Sequence, residues 1–330
     1  MMNIDDFYKE WNNPSDKILV HTSGSTGKPK PIWVEKSRMK ASARITCDFL
    51  GLQEGDTALL CMSLDFIAGK MMVIRSLIRG LELIVSSPSG HPLSNEKWQE
   101  IGMNDITFAA MVPLQVYNSL QVPEERERLK HIKHLIIGGG AIDDELEQAL
   151  KTFPNAVWST YGMTETLSHI ALRRLSGNDS SDWYTPFPSV NISLDHDGCL
   201  VIDAPLVCPE VLKANDIAEI RNGQFRILGR KDNVIVSGGI KIQIEEVERL
   251  LKQHIKNPFL ITKRKDNKFG EIVALLTTDN TDEAKAICER VLPKYWQPRA
   301  YLSIKEIPLT PTGKPARKEA ERIAEVQVNR

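Results

Sequence analysis

The sequence predicts an α/β protein with two domains, a large N-terminal domain of sheets covered by helices and a small α+β C-terminal domain. Three observations predict this class. Short apolar runs alternate with helical stretches up to about Tyr184, a turn-rich β pattern follows, and 330 residues exceed what one small core usually organises. Because alternating strands and helices form parallel sheets covered by helices, the first part is expected to be layered.

The N-terminal domain begins with a predicted amphipathic helix. Ile4, Phe7, Tyr8 and Trp11 lie on one helical face, and residues 12–14 end it. Short apolar runs predict strands at Lys17–His21, Leu59–Met62, Leu81–Val85, Ile106–Met111 and His134–Ile137. Helical spacing predicts helices at Ser37–Leu50, Ala68–Ile78 and Asp143–Leu150.

From about Tyr184 the pattern changes to Pro, Gly and Asp turns between short β-rich runs, such as Gly198–Asp203 and Ala218–Leu228. This predicts a β-rich subdomain. The domain boundary is placed after Gly229, which gives a domain of residues 1–229 and a small mobile domain of residues 230–330. The small domain has a predicted helix at Ile244–Leu251, a strand at Ile272–Thr277 and an exposed helix from Ala316.

Composition excludes several classes of protein. Hydrophobic residues make up 42% and charged residues 26%, and no tract is long and apolar enough to span a bilayer. The N-terminus lacks the basic start and apolar core of a signal peptide, so a cytoplasmic protein is expected. A net charge of -1 makes nucleic acid an unexpected partner. The cysteines lack a Cys-x-x-Cys pair, which predicts reduced thiols rather than disulfides or zinc ligands: Cys47, Cys61, Cys199, Cys208 and Cys288.

A nine-residue segment after the first predicted strand carries four hydroxyls, two glycines and two lysines. Its residues are Thr22, Ser23, Gly24, Ser25, Thr26, Gly27, Lys28, Pro29 and Lys30. Such a loop can aim backbone N–H groups, hydroxyls and ammonium groups at one polyanion. It is not a Walker A loop, because the glycine spacing differs and Pro29 stands where Ser or Thr would hold magnesium. A phosphate-binding loop and a plain solvated turn are the two interpretations of these residues alone.

The full segment resembles the signature loop of the acyl-CoA synthetase, adenylation-domain and luciferase superfamily, whose members form acyl-adenylates from carboxylic acids and ATP. The resemblance implies that Thr22 to Lys28 bind ATP and that further motifs follow in order. Gly138, Gly139 and Gly140 resemble the superfamily's adenine-side turn, where the absence of side chains lets a flat base approach the backbone. Taken alone, these glycines are also typical of a simple strand-to-helix connection.

The segment Tyr161-Gly-Met-Thr-Glu-Thr166 is similar to the superfamily motif that contacts adenine, phosphate and magnesium. The resemblance implies that the Tyr161 ring lies against adenine and that the Thr164 hydroxyl meets the α-phosphate. Glu165 is then the residue that helps to hold magnesium. Magnesium prefers hard oxygen ligands, and the ion offsets the triphosphate charge that would repel an incoming carboxylate.

The ribose-binding residues and the hinge are also implied by the resemblance. The superfamily usually has Thr-Gly-Asp at this point, and its aspartate binds the ribose hydroxyls. This chain has Ala214-Asn215-Asp216, so the aspartate is kept and the two residues before it differ. Arg230 would contact ribose, and Asp232 would be the hinge. Ser237, Gly238 and Gly239 would approach the tunnel of the thiol acceptor.

The segment Pro308–Arg317 matches the superfamily's last motif, which implies that Lys314 is the catalytic lysine. Taken alone, a lysine after a glycine turn is usually an ordinary exposed side chain. Its chemistry fits the role, because carboxylate and α-phosphate are both anionic and a mobile ammonium between them stabilises the transition state.

The implied reaction has two steps and uses ATP, Mg2+ and coenzyme A. A carboxylate attacks the α-phosphate of ATP to give acyl-AMP and pyrophosphate, and a thiol then displaces AMP. Because Lys314 serves the first step and Gly238 and Gly239 face the second, the small domain is expected to rotate about Asp232.

The acid-binding stretch Leu64–Arg75, together with Ser168–Leu172, resembles short bacterial o-succinylbenzoate-CoA ligases of menaquinone biosynthesis. The implied substrate is a dianionic aromatic acid, which needs a second cationic anchor besides the catalytic lysine. Lys70 or Arg75 could supply it, and His169 is a further candidate. The alternative interpretation is that the two cations form salt bridges or are solvated, and that the histidine is structural.

Two other functions remain open from the sequence. A stand-alone enzyme that activates an amino acid or an aryl acid and loads another thiol is one. Asp65 lies roughly where amino-acid adenylation domains place the aspartate that pairs with the α-amino group, and the absence of a following carrier domain weakens the amino-acid alternative. A non-catalytic sensor of adenylates or carboxylates is the other. Retention of both Glu165 and Lys314 argues against a sensor.

Only 21 residues precede the phosphate loop, whereas superfamily members usually have a sizeable N-terminal subdomain there. We expect a naturally short ligase in which the helix at Ile4–Trp11 covers an exposed sheet edge. A homo-oligomer could cover the remaining surface.

Overall fold

The computed structural model describes residues 2–21, 31–94, 106–140, 142–309 and 315–326. The chain divides into two compact units. The larger unit comprises Met1–Ser193, Ile202–Leu212 and Ile220–Arg226, and the smaller unit comprises Leu194–Val201, Lys213–Glu219 and Ile227–Arg330. Within the described part of the chain, no helix combines the length and the apolar character needed to cross a bilayer.

The larger unit is built on a seven-stranded sheet. Its strands are β3 (Thr57–Leu60), β4 (Glu82–Val85), β5 (Phe108–Met111), β6 (His134–Ile137), β7 (Ala156–Gly162), β8 (His169–Arg174) and β9 (Thr185–Pro186). They lie in the order β4-β3-β5-β6-β7-β8-β9. The first five pair in parallel and the last two are antiparallel, so the predicted parallel sheet is confirmed with an antiparallel edge.

Six described helices belong to the larger unit: α1 (Ile4–Trp11), α2 (Lys36–Leu50), α3 (Ile67–Arg79), α4 (Pro113–Gln121), α5 (Pro123–His131) and α6 (Asp144–Lys151). Capping side chains begin two of them, because Asn3 and Asp143 each accept a hydrogen bond from a first-turn N–H of α1 and α6. Gly51 and Gly80 end α2 and α3 in the left-handed region. Buried apolar residues of β3, β5, β6 and β7 pack against α4, α5 and α6 to form one core.

A separate two-stranded sheet is formed by the strands that come immediately before and after the predicted phosphate loop in the sequence. It pairs β1 (Lys17–His21) with β2 (Pro31–Glu35) in antiparallel register, from Lys17 opposite Glu35 to His21 opposite Pro31. The sequence predicted β1 but not β2. The loop therefore connects two paired strands rather than a strand and a helix.

The β-rich region predicted after Tyr184 forms a four-stranded sheet. Its strands are β10 (Asn191–Leu194), β11 (Cys199–Asp203), β12 (Leu212–Arg221) and β13 (Gln224–Arg230), in that order. Asn222 and Gly223 join the last two with positive φ at both positions, as a two-residue hairpin turn requires.

The smaller unit contains a five-stranded sheet and three described helices. Its elements are β14 (Val234–Ser237), β15 (Ile240–Gln243), α7 (Ile244–Lys252), β16 (Phe259–Asp266), β17 (Gly270–Thr277), α8 (Thr281–Val291), β18 (Ala300–Ser303) and α9 (Arg317–Val326). The strand order is β15-β14-β17-β16, with β18 parallel to β17. Apolar residues of α7 and α8 fill one core, and Ala320 and Ala324 of α9 are buried against Leu260, Ile272 and Leu276.

Candidate active site

Two predicted parts of the site lie outside the described residues. These are the loop residues Thr22 to Lys28 and the predicted catalytic lysine, Lys314. The flanks of both segments are described. His21 pairs with Pro31 across the β1–β2 sheet, and Leu309 forms an antiparallel bridge with Pro315.

The glycine turn and the Tyr161–Thr166 motif lie at the same edge of the seven-stranded sheet. The glycine turn follows the carboxyl end of β6, and the motif begins in the last two residues of β7. These strands are parallel neighbours, with Ile137 opposite Ser159. Ligands of open α/β sheets bind outside this edge. Gly138 is required there because an added Cβ would lie 2.2 Å from the Thr160 Oγ1 atom. Gly139 has a φ of 78°, which a residue with a side chain rarely adopts.

Tyr161 is supported by two aromatic rings that the sequence did not identify. The Phe225 ring packs edge-on at a centroid distance of 5.0 Å, and the Tyr184 ring lies 5.7 Å away. Tyr184 is itself held by a 2.8 Å hydrogen bond between its hydroxyl and Ser159 Oγ, and its backbone pairs with Phe225. Since Phe225 is fully buried and Tyr161 is half-buried, the Tyr161 ring is a fixed surface that an adenine base can stack on.

Thr164, Glu165 and Thr166 form a short 3-10 turn that is held by one buried hydroxyl. The Thr166 Oγ1 atom accepts a 3.0 Å hydrogen bond from the Met163 N–H and lies 2.7 Å from the Ser168 carbonyl oxygen. The sequence did not assign this role to Thr166.

The backbone beyond this turn is strained. Leu167 has a φ of 65°, and the Ser168 N–H reaches back to the Thr166 carbonyl oxygen at 2.7 Å, which makes a γ-turn with positive φ. Gly162 has no room for a side chain, because a Cβ would lie 2.2 Å from the Ser168 carbonyl oxygen. This constrained backbone leaves the Glu165 side chain exposed and Thr164 half-buried. A carboxylate and a hydroxyl at this edge have the hard-oxygen chemistry that magnesium prefers.

Arg75 is a buried cation in the middle of α3. Its side chain is 2% exposed, and burial lowers the pKa of Arg75 to about 10, so the group stays charged at neutral pH. Its Nη2 atom donates a 2.7 Å hydrogen bond to Ser168 Oγ, and Nη1 lies 3.8 Å from Met72 Sδ. Among the described residues, no carboxylate pairs with this guanidinium and its buried Nε has no hydrogen-bond partner. The third candidate, His169, is buried and joins the same group through Ser168.

Lys70 has a different environment from Arg75, although it lies on the same helix. Its ammonium pairs with Glu10 Oε2 of α1 at 3.0 Å and donates to the Leu19 carbonyl oxygen at 3.2 Å. The Phe7 ring lies 5.8 Å away. Lys70 therefore forms a salt bridge, which is the alternative that the sequence left open. Of the two candidate cations, Arg75 is the one without an anionic partner among the described residues.

Asp65, the residue on which the amino-acid alternative depends, is exposed. Its carboxylate accepts hydrogen bonds from the Met2 N–H at 2.9 Å and from Ser63 Oγ at 3.1 Å. The hydrogen bond from Met2 is the main reason that the pKa of Asp65 lies below its usual value. These contacts tie down the loop before α3, and no feature of this environment favours the amino-acid alternative.

In the smaller unit, Asp216, Arg230 and Asp232 form a polar cluster. Arg230 Nη1 lies 3.6 Å from Asp216 Oδ1, and Nη2 lies 3.4 Å from Asp232 Oδ2. Asn215, which departs from the superfamily pattern, donates to the same Asp232 oxygen at 3.4 Å. The cluster combines a carboxylate that can accept from ribose hydroxyls with an arginine that can donate to them.

The predicted thiol-tunnel residues form the turn of the β14–β15 hairpin. Ser237 pairs with Ile240, and the connecting residues Gly238 and Gly239 have φ values of 57° and 85°. Positive φ at both positions is the geometry that this tight turn requires. The Gly238 N–H donates to the Phe269 carbonyl oxygen at 2.9 Å, which fixes the turn against the residue that precedes β17.

A parallel sheet whose carboxyl edge carries a glycine turn, an aromatic ring and an exposed carboxylate is the arrangement in which open α/β enzymes bind their ligands. The family described as "AMP-binding enzyme" matches residues 5–209, which is more than half of the chain. The chain therefore belongs to the AMP-binding enzyme family, and the membership in the adenylate-forming superfamily predicted from its motifs is confirmed.

Curated relatives are similar over most of the chain. A 2-succinylbenzoate-CoA ligase of Bacillus cereus is 23% identical over 96% of this chain and 72% of its own length. A protein of the same name from Listeria monocytogenes is 25% identical over 92% of this chain and 69% of its own length.

Two solved structures have the same fold. An acyl-CoA synthetase (AMP-forming)/AMP-acid ligase II-like protein from Dyadobacter fermentans is 30% identical, with a TM-score of 0.65, and the match covers 95% of this chain and 91% of that one. O-succinylbenzoate coenzyme A synthetase from Bacillus subtilis, in complex with ATP and magnesium, is 23% identical, with a TM-score of 0.74 and coverage of 91% and 69%. The predicted fold class is confirmed by these matches.

Proposed function

We propose that this chain is an ATP-dependent acid–thiol ligase that activates a dianionic aromatic acid of the 2-succinylbenzoate type and transfers the acyl group to coenzyme A. The observation that carries the choice of acid is the unpaired charge of Arg75. Its guanidinium is buried and protonated at neutral pH, and none of the described carboxylates lies beside it. An acid with a second carboxylate would supply the missing negative charge.

The free energy of a buried charge favours this substrate class. An isolated cation in a protein interior is costly unless it is paired and hydrogen-bonded. One hydroxyl, from Ser168, and one thioether, from Met72, offset only part of that cost for Arg75. A carboxylate bound beside this guanidinium would therefore be stabilised more than it is in water, and a neutral tail would gain nothing comparable. The names of the curated relatives support the same class of acid.

ATP would be held by the motif residues that the resemblance implied. In the larger unit, Tyr161 would stack on adenine beside the Gly138–Gly140 turn, while Thr22 to Lys28 bind the phosphates and Thr164 meets the α-phosphate. Glu165 would hold Mg2+, which neutralises phosphate charge when bound. In the smaller unit, Asp216 and Arg230 would bind the ribose hydroxyls.

In the first step, a carboxylate oxygen of the acid bonds to the α-phosphorus and the bond to pyrophosphate breaks. Lys314 would neutralise charge between these two anions. In the second step, the sulfur of the thiol bonds to the acyl carbon, AMP leaves, and the thiol proton passes to solvent. Ser237, Gly238 and Gly239 would line the thiol's approach, and rotation about Asp232 would exchange Lys314 for this turn.

Substrate-dependent pyrophosphate release over a panel of acids tests the proposal, with and without coenzyme A and with mass spectrometry of the product. The panel contains 2-succinylbenzoate, benzoate, dicarboxylic acids and amino acids. We expect turnover with the aromatic diacid and a coenzyme A thioester as product. Turnover with amino acids alone would show that the substrate is an amino acid and not an aromatic diacid. An absence of pyrophosphate release with every acid would contradict the proposed enzymatic function.

A further inference from the structure

A chain of buried hydrogen bonds runs from Arg75 through three side chains to the backbone of α2. Arg75 Nη2 lies 2.7 Å from Ser168 Oγ, which lies 3.2 Å from His169 Nδ1. On the other side of the imidazole, Nε2 lies 3.1 Å from Thr46 Oγ1, and this hydroxyl lies 3.1 Å from the Ser42 carbonyl oxygen. The chain thus joins α3, the start of β8 and α2.

The proton positions in this chain follow from its two ends. The Ser42 carbonyl can only accept, so the hydrogen of the Thr46 hydroxyl points to it. His169 Nε2 must then donate to Thr46 Oγ1, because the hydroxyl has no second hydrogen to offer.

The other end gives the same direction. Arg75 can only donate, so Ser168 Oγ accepts from it. The single hydroxyl hydrogen of Ser168 can therefore be donated to Nδ1 of His169. Nδ1 is an acceptor because, in this tautomer, the imidazole carries its hydrogen on Nε2. Each of the four hydrogen bonds in the chain therefore has one donor and one acceptor.

The surroundings of His169 keep the imidazole neutral. Burial, and then the positive charge of Arg75, hold the pKa of His169 well below its usual value. The Phe187 ring packs against the imidazole at 5.6 Å and offers no charge that would reverse this effect. A neutral imidazole has one donor and one acceptor, which are the two roles that the chain requires.

We propose that His169, as the neutral Nε2–H tautomer, is a positioning residue for acid binding. It makes the Ser168 hydroxyl an acceptor towards Arg75 and so fixes the orientation of the guanidinium in its buried site. The effect of His169 on acid binding rests on the proposed function, in which Arg75 binds the second carboxylate of the acid. One consequence is that the hydroxyl hydrogen of Ser168 is already used, which leaves the N–H groups of Arg75 to bind the acid's distal carboxylate.

The tautomer can be measured without any substrate. Long-range 1H–15N correlation spectra of the 15N-histidine-labelled protein at pH 7 distinguish the two neutral tautomers from the imidazolium, and the His169→Gln spectrum assigns the signals. We expect His169 to be neutral with its proton on Nε2. A proton on Nδ1, or a charged imidazole, would overturn the inference whether or not the proposed function holds.

The positioning role is tested by kinetics with the aromatic diacid. His169→Asn keeps an acceptor near the position of Nδ1, whereas His169→Leu removes it. We expect the Leu variant to raise KM for the acid about 10-fold with kcat and KM for ATP unchanged, and the Asn variant to recover most of that loss. Equal changes in both KM values, or equal effects of Asn and Leu, would show that His169 has only a structural role.

His134→Leu is the matched control, because His134 is half-buried and begins β6 at the amino edge of the same sheet. It should leave KM for the acid unchanged. If no acid is turned over by the wild-type protein, the proposed function fails, and the tautomer measurement alone decides the inference.

Discussion

The Glu248 carboxylate and the Arg317 guanidinium form a two-pronged ion pair, with Nη1–Oε1 and Nη2–Oε2 distances of 2.6 and 2.7 Å. Arg317 also donates to the Ile261 carbonyl oxygen at 2.8 Å. The pair joins the first residue of α9 to α7 and β16. Because Arg317 follows Lys314 by three residues in the chain, this pair fixes one end of the segment that carries the proposed catalytic lysine.

Glu248→Gln should therefore slow adenylate formation. The substitution removes the charge of the pair but keeps the size of the side chain, and small misplacements of a catalytic group cost up to about 100-fold in rate. We expect a fall of about 10-fold in kcat for pyrophosphate release, with KM for ATP little changed. Glu319→Gln breaks an exposed ion pair with Arg322 on the same helix and should leave kcat unchanged. An unchanged rate in Glu248→Gln would contradict a positioning role for this pair.

Thr166→Val should weaken magnesium-dependent activity. The Val side chain keeps the shape but leaves the Met163 N–H without its partner in the turn that carries Glu165. Such a loss costs about 1–3 kcal/mol. A magnesium titration of pyrophosphate release should give a higher half-saturation concentration for Thr166→Val than for the wild type, and Thr166→Ser should match the wild type. Equal values for all three proteins would argue against the role of this hydroxyl.

Phe225→Leu should raise KM for ATP, since the Phe225 edge supports the Tyr161 ring at 5.0 Å. An aromatic pair of this kind contributes about 0.5–1.5 kcal/mol, which corresponds to about a 2- to 10-fold change. Phe153→Leu is a control for lost packing elsewhere in the core of the larger unit. If both variants change KM for ATP equally, the effect comes from general packing and not from Tyr161.

Thermal stability should fall below about pH 6.5 partly because of His169. Its folded-state pKa is lowered by burial and by Arg75, so the unfolded chain binds this proton first as the pH falls. Stability is then full above the unfolded pKa and is lost below it, by at most about 1.4 kcal/mol per pH unit for one proton. Between pH 7.5 and pH 5, Tm should drop more for the wild type than for His169→Gln. Parallel curves would contradict a neutral buried His169.

Local patterns predicted those elements whose signal lies within a few residues. The apolar spacing of α1 and the capping Asp143 of α6 gave their bounds to within a residue. Helix α5 was not predicted, because seven of its nine residues are charged or histidine and only Glu125 and Leu129 are buried. Strand β2 was missed because its pairing with β1 depends on register across the loop.

The candidate site shows the same division. Motif residues such as Glu165 and Asp216 could be assigned because each motif is contiguous. The sequence could not show that Lys70 is salt-bridged and Arg75 is not, because the partner of Lys70 is Glu10, sixty residues away. The buried chain from Arg75 to Thr46 also depends on how three elements pack together, and spacing along the sequence carries no signal of it.

The most direct test of the proposed substrate class compares a diacid with a matched monoacid. The kcat/KM for pyrophosphate release is measured with 2-succinylbenzoate and with each of its two monoesters, in the wild type and in Arg75→Gln. The diacid is compared with the monoester that is turned over, because that ester keeps the reacting carboxylate. A hydrogen-bonded charge pair of about 1.5–3 kcal/mol predicts a preference of about 10- to 100-fold for the diacid in the wild type and little preference in the variant. Equal kcat/KM values for the two acids in the wild-type protein would contradict the proposal that Arg75 selects a dianionic acid.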